Sequence, residues 1–115
     1  AEIAGDRPGA ARDIARRHGG VCVLKGCGTL VTDGSSLYVC DRGNPGMATG
    51  GMGDCLTGIV VSLMAQGLSP LSAAVCGVWL HARAADCEAG AGGMVGILAT
   101  DLFPWLRRLI ARPDD

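Results

Sequence analysis

Residues 44–58 read NPGMATGGMGDCLTG, and the parsing of this stretch decides the fold. Asn44-Pro45-Gly46 breaks any regular element, and Gly50-Gly51-Met52-Gly53 prolongs the break, so residues 41–52 are predicted to be loop. A helix then runs from about Asp54 to Gln66, where Leu56, Ile59, Val60, Leu63 and Met64 recur at helical spacing. Val61 and Ala65 make it apolar nearly all round, which predicts a buried central helix. Glycines ahead of a helix let backbone N–H groups approach a ligand with no Cβ in the way. The helix start adds unpaired donors and the positive end of the dipole, so the junction is an anion site suited to phosphate. Asp54 stands at its mouth. On position alone it is either a helix N-cap or a general base beside a bound phosphoryl group. The loop matches neither G-x-x-x-x-G-K-[ST] nor G-x-G-x-x-G.

Upstream, Pro8 to His18 reads as a short helix, with Ala11, Ile14 and Ala15 on one stripe and Gly19-Gly20 as its stop. Val21 to Leu24 is a continuous apolar run, the pattern of a strand buried on both faces under helices. Thr29 to Thr32 and Leu37 to Cys40 read as two further strands, with Asp33-Gly34 as the hairpin signal between them. Lys25-Gly26-Cys27-Gly28-Thr29 follows the first strand directly. This segment either holds a nucleotide phosphate or sugar, or is a tight connection with a snorkelling lysine.

Downstream, Gly67 stops the central helix, and Ser69-Pro70 opens the next as N-cap and first helical residue. That helix is predicted to reach about Cys87 and to bury Leu71, Ala74, Val75, Val78, Trp79 and Ala82. Gly90 to Gly93 reads as loop, and Thr100 as the cap of a last helix from Asp101 to about Ala111. His18 and His81 are single histidines on helices with no metal partner in register, and Trp79 and Trp105 read as core or interface anchors.

Composition narrows the classes. The chain has 115 residues, one domain's worth, and 19 are glycine, against a typical share of about 7%. Only four are aromatic, so the core must be aliphatic and the backbones closely approached. Ten basic and 11 acidic residues leave a net charge of −1, which supplies no basic footprint for nucleic acid. Six cysteines without a C-x-x-C pair fit neither a zinc ribbon nor a redox dithiol; they are expected as buried, reduced thiols in a reducing cytosol. Cys55, near a helix start, is the one position where a lowered thiol pKa is conceivable. The longest apolar stretch, Cys55 to Ala65, is too short to span a bilayer, and Ala1-Glu2 does not open a signal peptide. A cytoplasmic protein with no membrane and no nucleic-acid partner is therefore expected.

Residues 23–29, VLKGCGT, together with 44–58, resemble the ADP-dependent NAD(P)H-hydrate dehydratase family of the ribokinase-like superfamily. Val78-Trp79-Leu80-His81 and residues 96–102, GILATDL, are similar to its later helices and closing motif, so the resemblance covers roughly residues 7 to 110. It implies an α/β fold, the C-terminal part of a ribokinase-like domain, with 1–115 as the nucleotide-binding portion and the N-terminal half absent. It implies dehydration of hydrated NADH or NADPH while ADP becomes AMP and phosphate. Asp54 would then deprotonate the ring hydroxyl, and the amides of Gly51, Met52 and Gly53 would form the anion hole. Lys25, Gly26, Cys27, Gly28, Thr29, Asn44, Gly50 and Gly53 would line the ADP site. A divalent cation, Mg²⁺, is implied, with no ligand nameable from the sequence. Small-molecule substrates are the implied partners, and an unprotected sheet edge predicts a homo-oligomer. Two rival expectations are an ATP-dependent sugar or hydroxymethylpyrimidine kinase of the same superfamily and a non-catalytic, truncated nucleotide-binding module.

Overall fold

Asp6 caps the first helix. Its carboxylate accepts the Gly9 N–H at 3.0 Å, and Pro8 lies in the first turn of α1, Arg7–His18. The cap residue lies just upstream of the segment that carries the helical stripe, so only the Pro8 half of this signal was readable. Gly19 closes α1 at φ 64°, the left-handed conformation that glycine adopts without a Cβ penalty. The computed structural model describes residues 6–26, 28–47 and 50–111.

The sheet has three antiparallel strands in the order β1 (Cys22–Leu24), β2 (Leu30–Thr32) and β3 (Leu37–Val39). Val31 pairs with Val23 on one side and Tyr38 on the other. Both α1 and the long helix α3 (Pro70–Gly92) pack on β2, which is buried throughout. The expectation that residues 21–24 form a strand buried on both faces is corrected: β1 is only half-buried, because it is the edge of the described sheet and pairs with β2 alone. The β2–β3 turn spans residues 33–36. The Asp33 carboxylate accepts the N–H groups of Ser35 and Ser36, both at 2.9 Å, which holds its pKa below the usual value.

After a short 3₁₀ turn at Pro45–Met47, helix α2 runs from Met52 to Ala65. It starts two residues before the predicted Asp54, because Gly51 takes φ 86° and its carbonyl accepts the Cys55 N–H at 2.9 Å. Asp54 therefore sits inside the first turn and is not the N-cap. The prediction that α2 is buried all round is also corrected. Met52 and Leu56 are buried, but Val61 and Met64 are 58% and 42% exposed, because α3 is the element that packs along it and covers one flank.

The Ser69 hydroxyl caps α3 by accepting the Ser72 N–H at 3.2 Å, and Pro70 is its first residue. The helix continues through the predicted loop at 90–93 and closes with Gly93 N–H on Ala89 O at 2.7 Å. Ala84, Ala85, Ala89 and Ala91 give this end a strong helix propensity that outweighs the cost of Gly90 and Gly92. Thr100 does not cap the last helix. Ala99–Leu102 forms a 3₁₀ turn, the Asp101 carboxylate accepts the Leu98 N–H at 2.8 Å, and α4 spans Phe103–Ala111. Trp105 Nε1 donates to Glu88 Oε2 at 2.7 Å, fastening α4 to α3, while the Arg108 guanidinium lies 4.9 Å from the Trp105 ring.

Two aliphatic clusters result. Met52, Leu80, Ala84, Ala85, Ile97, Leu102, Leu106 and Leu109 form one; Val31, Leu56, Ala74 and Val78 form the other. Trp79 and Trp105 pack against the first cluster, as their reading as core anchors requires. Five described cysteines are free thiols, but burial is shallower than expected: Cys22, Cys40, Cys55 and Cys87 are half-buried and Cys76 is exposed.

Candidate functional site

The segment after β1 is turned back on itself by hydrogen bonds to its carbonyls. Thr29 Oγ1 donates to Gly26 O at 3.2 Å, and the Arg7 guanidinium reaches Leu24 O at 3.2 Å and Gly28 O at 3.3 Å. Gly26 and Gly28 take φ 151° and 73°, where an L side chain is strained. With these carbonyls engaged, the groups left to meet a ligand among the described residues of the segment are N–H donors and the Lys25 ammonium. Cys27 lies outside the described residues.

The second loop delivers an uncapped helix start. Gly51 has no side chain, and among the described residues no side-chain cap bond closes the first turn of α2, where the N–H groups of Met52, Gly53 and Asp54 lead the helix. The exposed Thr57 Oγ1 folds back along its own helix and donates to Gly53 O at 3.0 Å. The two loops meet here: a Cβ built on Gly53 would lie 2.8 Å from Lys25 Nζ. The fold thus places the ammonium of one segment beside the donor end of a 14-residue helix. Two positive ends converge on one spot, the physical requirement of a phosphate site.

Asp54 is exposed on this first turn. No hydrogen bond or ion pair engages its carboxylate among the described residues. It is an exposed carboxylate on the rim of the glycine-led helix start. Gly50 is exposed with open space beside it. Cys55 is half-buried, and burial pushes its thiol pKa up.

Asn44 has an internal task that sequence could not show. Its Nδ2 donates to Asp86 Oδ1 at 2.9 Å, and its Oδ1 accepts the Gly46 N–H at 2.9 Å. The other Asp86 oxygen accepts the Gly43 N–H at 2.8 Å. Asp86, on α3, therefore anchors the chain that leads into the glycine loop. Gly46 is required by space: a Cβ there would lie 2.6 Å from Met94 O.

His81 lies beneath the site on α3. It is 5% exposed, and among the described residues its Nε2 has no hydrogen-bond partner. Burial, and then the Lys25 charge, hold its pKa below the usual value. Arg7, Asp86 and Asp101 were not singled out from sequence. Their only signal is a charged residue beside a capped or glycine-broken segment, and such residues are common on solvated faces.

A family model described as NAD(P)H-hydrate dehydratase matches residues 1–108. The chain belongs to the NAD(P)H-hydrate dehydratase family. A bifunctional NAD(P)H-hydrate repair enzyme of Vibrio cholerae is 55% identical over 109 residues, which are 95% of this chain and 22% of that protein. The ADP-dependent (S)-NAD(P)H-hydrate dehydratase of Neisseria meningitidis is 44% identical over 117 residues, 97% of this chain and 40% of that protein. The chain thus spans about a fifth to two fifths of the length of these relatives. The ADP/ATP-dependent NAD(P)H-hydrate dehydratase of Bacillus subtilis, solved after co-crystallisation with ATP/Mg²⁺, superposes with a TM-score of 0.89 at 28% identity, over 96% of this chain and 40% of that one. The α/β architecture is that of this carbohydrate-kinase-like family.

Among the described residues, no three His, Cys, Asp or Glu side chains cluster to hold a metal. No helix among them is long and apolar enough to cross a membrane.

Proposed function

We propose that this chain is the nucleotide-side, C-terminal portion of an ADP-dependent NAD(P)H-hydrate dehydratase and carries its phosphate site and catalytic base. The observation that carries this reading is the approach of Lys25 Nζ to Gly53 at the uncapped start of α2, one residue before Asp54.

In this reading the Lys25 ammonium and the amides of Gly51, Met52 and Gly53 hold the terminal phosphoryl group of ADP. They stabilise the charge that develops on it during transfer. The Gly26–Thr29 segment, with Gly50, borders the rest of the nucleotide. Asn44 serves by holding the loop through Asp86. The Asp54 carboxylate takes the proton of the ring hydroxyl as its oxygen attacks phosphorus and AMP departs. Phosphate then leaves with formation of the nicotinamide double bond, and the ring loses the neighbouring proton.

The test is Asp54→Asn in the full-length protein. Dehydration is abolished while ADP still binds, because the amide keeps the shape of the site and loses the base. Retained turnover overturns the assignment of Asp54. Formation of a stable phosphorylated product from ATP and a simple alcohol substrate identifies a kinase instead.

A further inference from the structure

Arg7 is the first residue of α1, and its guanidinium spans the inner side of the segment after β1. Nη1 donates to Gly28 O at 3.3 Å, while Nη2 lies 3.2 Å from Leu24 O and 3.5 Å from Lys25 O. A Cβ on Gly26 would lie 3.0 Å from Nη2, so the loop can wrap the guanidinium this closely only with glycine there. With Thr29 Oγ1 on Gly26 O, the carbonyls of residues 24, 25, 26 and 28 are all engaged by the protein's own donors.

The electrostatic consequence is specific. A carbonyl pointing into a phosphate site repels the ligand. A planar guanidinium with donors in a fixed fork can hold several carbonyls away from it at once. An ammonium is a point charge and cannot reproduce the fork. The fork is also rigidly mounted, since Asp6 caps α1 and Ala11 and Ala15 bury its face in the fold.

We propose that Arg7 is the positioning residue of the nucleotide loop, holding its carbonyls inward so that Lys25 and the loop amides face the nucleotide. The proposal rests on the reading that residues 25–29 border ADP. Arg7 acts through the loop and does not touch the reacting atoms, so its loss changes nucleotide affinity and leaves the chemical step in place.

The experiment is steady-state kinetics and direct ADP binding on the full-length protein, comparing wild type, Arg7→Ala, Arg7→Lys and the control Arg12→Ala on the same helix. Arg7→Ala raises the KM and Kd for ADP about tenfold or more, the scale set by losing several charge-assisted hydrogen bonds. Its kcat and the KM for the hydrated cofactor stay near wild type, and Arg12→Ala resembles wild type. Arg7→Lys, which keeps the charge and carries the test if the alanine variant does not fold, recovers only part of the affinity. Unchanged ADP affinity in Arg7→Ala overturns the proposal, as does a parallel collapse of kcat and both KM values. Full recovery in Arg7→Lys overturns it too, by showing that charge alone matters. A wild-type protein that binds no ADP overturns the reading of the site and the role of Arg7 with it.

Discussion

Lys25 and Gly53, 28 positions apart in sequence, are in such close approach that a single added carbon on Gly53 would fall 2.8 Å from the lysine nitrogen. The approach joins the strand-end segment to the start of α2, and it explains why the residue before Asp54 is glycine. The prediction is Gly53→Ala. The new methyl group meets only the far end of a flexible side chain, so the fold persists. Alanine is favoured over glycine in a helix by about 1 kcal/mol, so the midpoint of denaturation holds or rises. The ammonium is displaced, and ADP affinity falls roughly tenfold, the scale of one charge-assisted hydrogen bond. Binding and melting on the same sample check the opposite signs.

The α2–α3 seam gives a second prediction. A Cβ on Gly77 would lie 2.7 Å from Val60 Cγ2, a methyl group of a stiff β-branched side chain. Gly77→Val overpacks this crossing and costs about 1–3 kcal/mol, the usual range for added volume in a packed core. Adding Val60→Ala restores part of the loss. Urea denaturation of the single and double variants measures it.

Asp86→Ala is the third. The substitution leaves Gly43 N–H and Asn44 Nδ2 without their acceptor in a partly buried setting. Leaving such donors unpaired costs about 1–3 kcal/mol each. Stability falls, and the entry to the glycine loop loosens, so the KM for ADP rises as well. Asp86→Asn keeps one acceptor but sets an NH₂ group against a donor, and lies between alanine and wild type. Denaturation and kinetics together distinguish the order.

The fourth concerns pH. Burial and the neighbouring Lys25 charge depress the His81 pKa, so the folded protein resists protonating this imidazole more than the unfolded chain does. The unfolded state then binds more protons at low pH. The stability tied to neutral His81 is present above about pH 6.5, the ordinary histidine value. It is lost as pH falls below that toward the depressed folded value. Denaturation midpoints therefore decline between pH 7 and 5, and His81→Leu, which removes both the titration and the unpaired Nε2, flattens that part of the profile.

Much of this was legible locally. The Pro8 helix, the hairpin at Asp33-Gly34, the Ser69-Pro70 start and the glycine-to-helix junction at 50–54 all rest on backbone rules that act over a few residues. The family wording of residues 44–58 singled out Asp54 and its loop. What escaped were relationships between distant segments. Nothing within a few residues of Arg7 announces carbonyls at 24, 25 and 28, and nothing near Asp86 announces Gly43 and Asn44. Burial escaped for a related reason. Residues 21–24 and 54–66 are as apolar as interior elements, but periodicity reports what a segment prefers to bury and not which neighbours cover it. Helix ends slipped where side-chain caps were expected: Gly51 starts α2 by backbone conformation, and the alanines of 84–91 carry α3 past its glycines.

Helix α3 contributes Ala74 and Val78 to one aliphatic cluster and Leu80, Ala84 and Ala85 to the other. Neither cluster can loosen without withdrawing residues from the same rod. The two halves of the core are therefore coupled through one element, and they melt as one cooperative unit. Amide protons along 74–85 should be the slowest in the chain to exchange with solvent, since releasing them requires opening both clusters together. The same sharing packs α2 along the most protected part of the scaffold, with Met52 at its start inside one cluster, so that the N–H donors leading that helix are mounted against the segment least given to breathing.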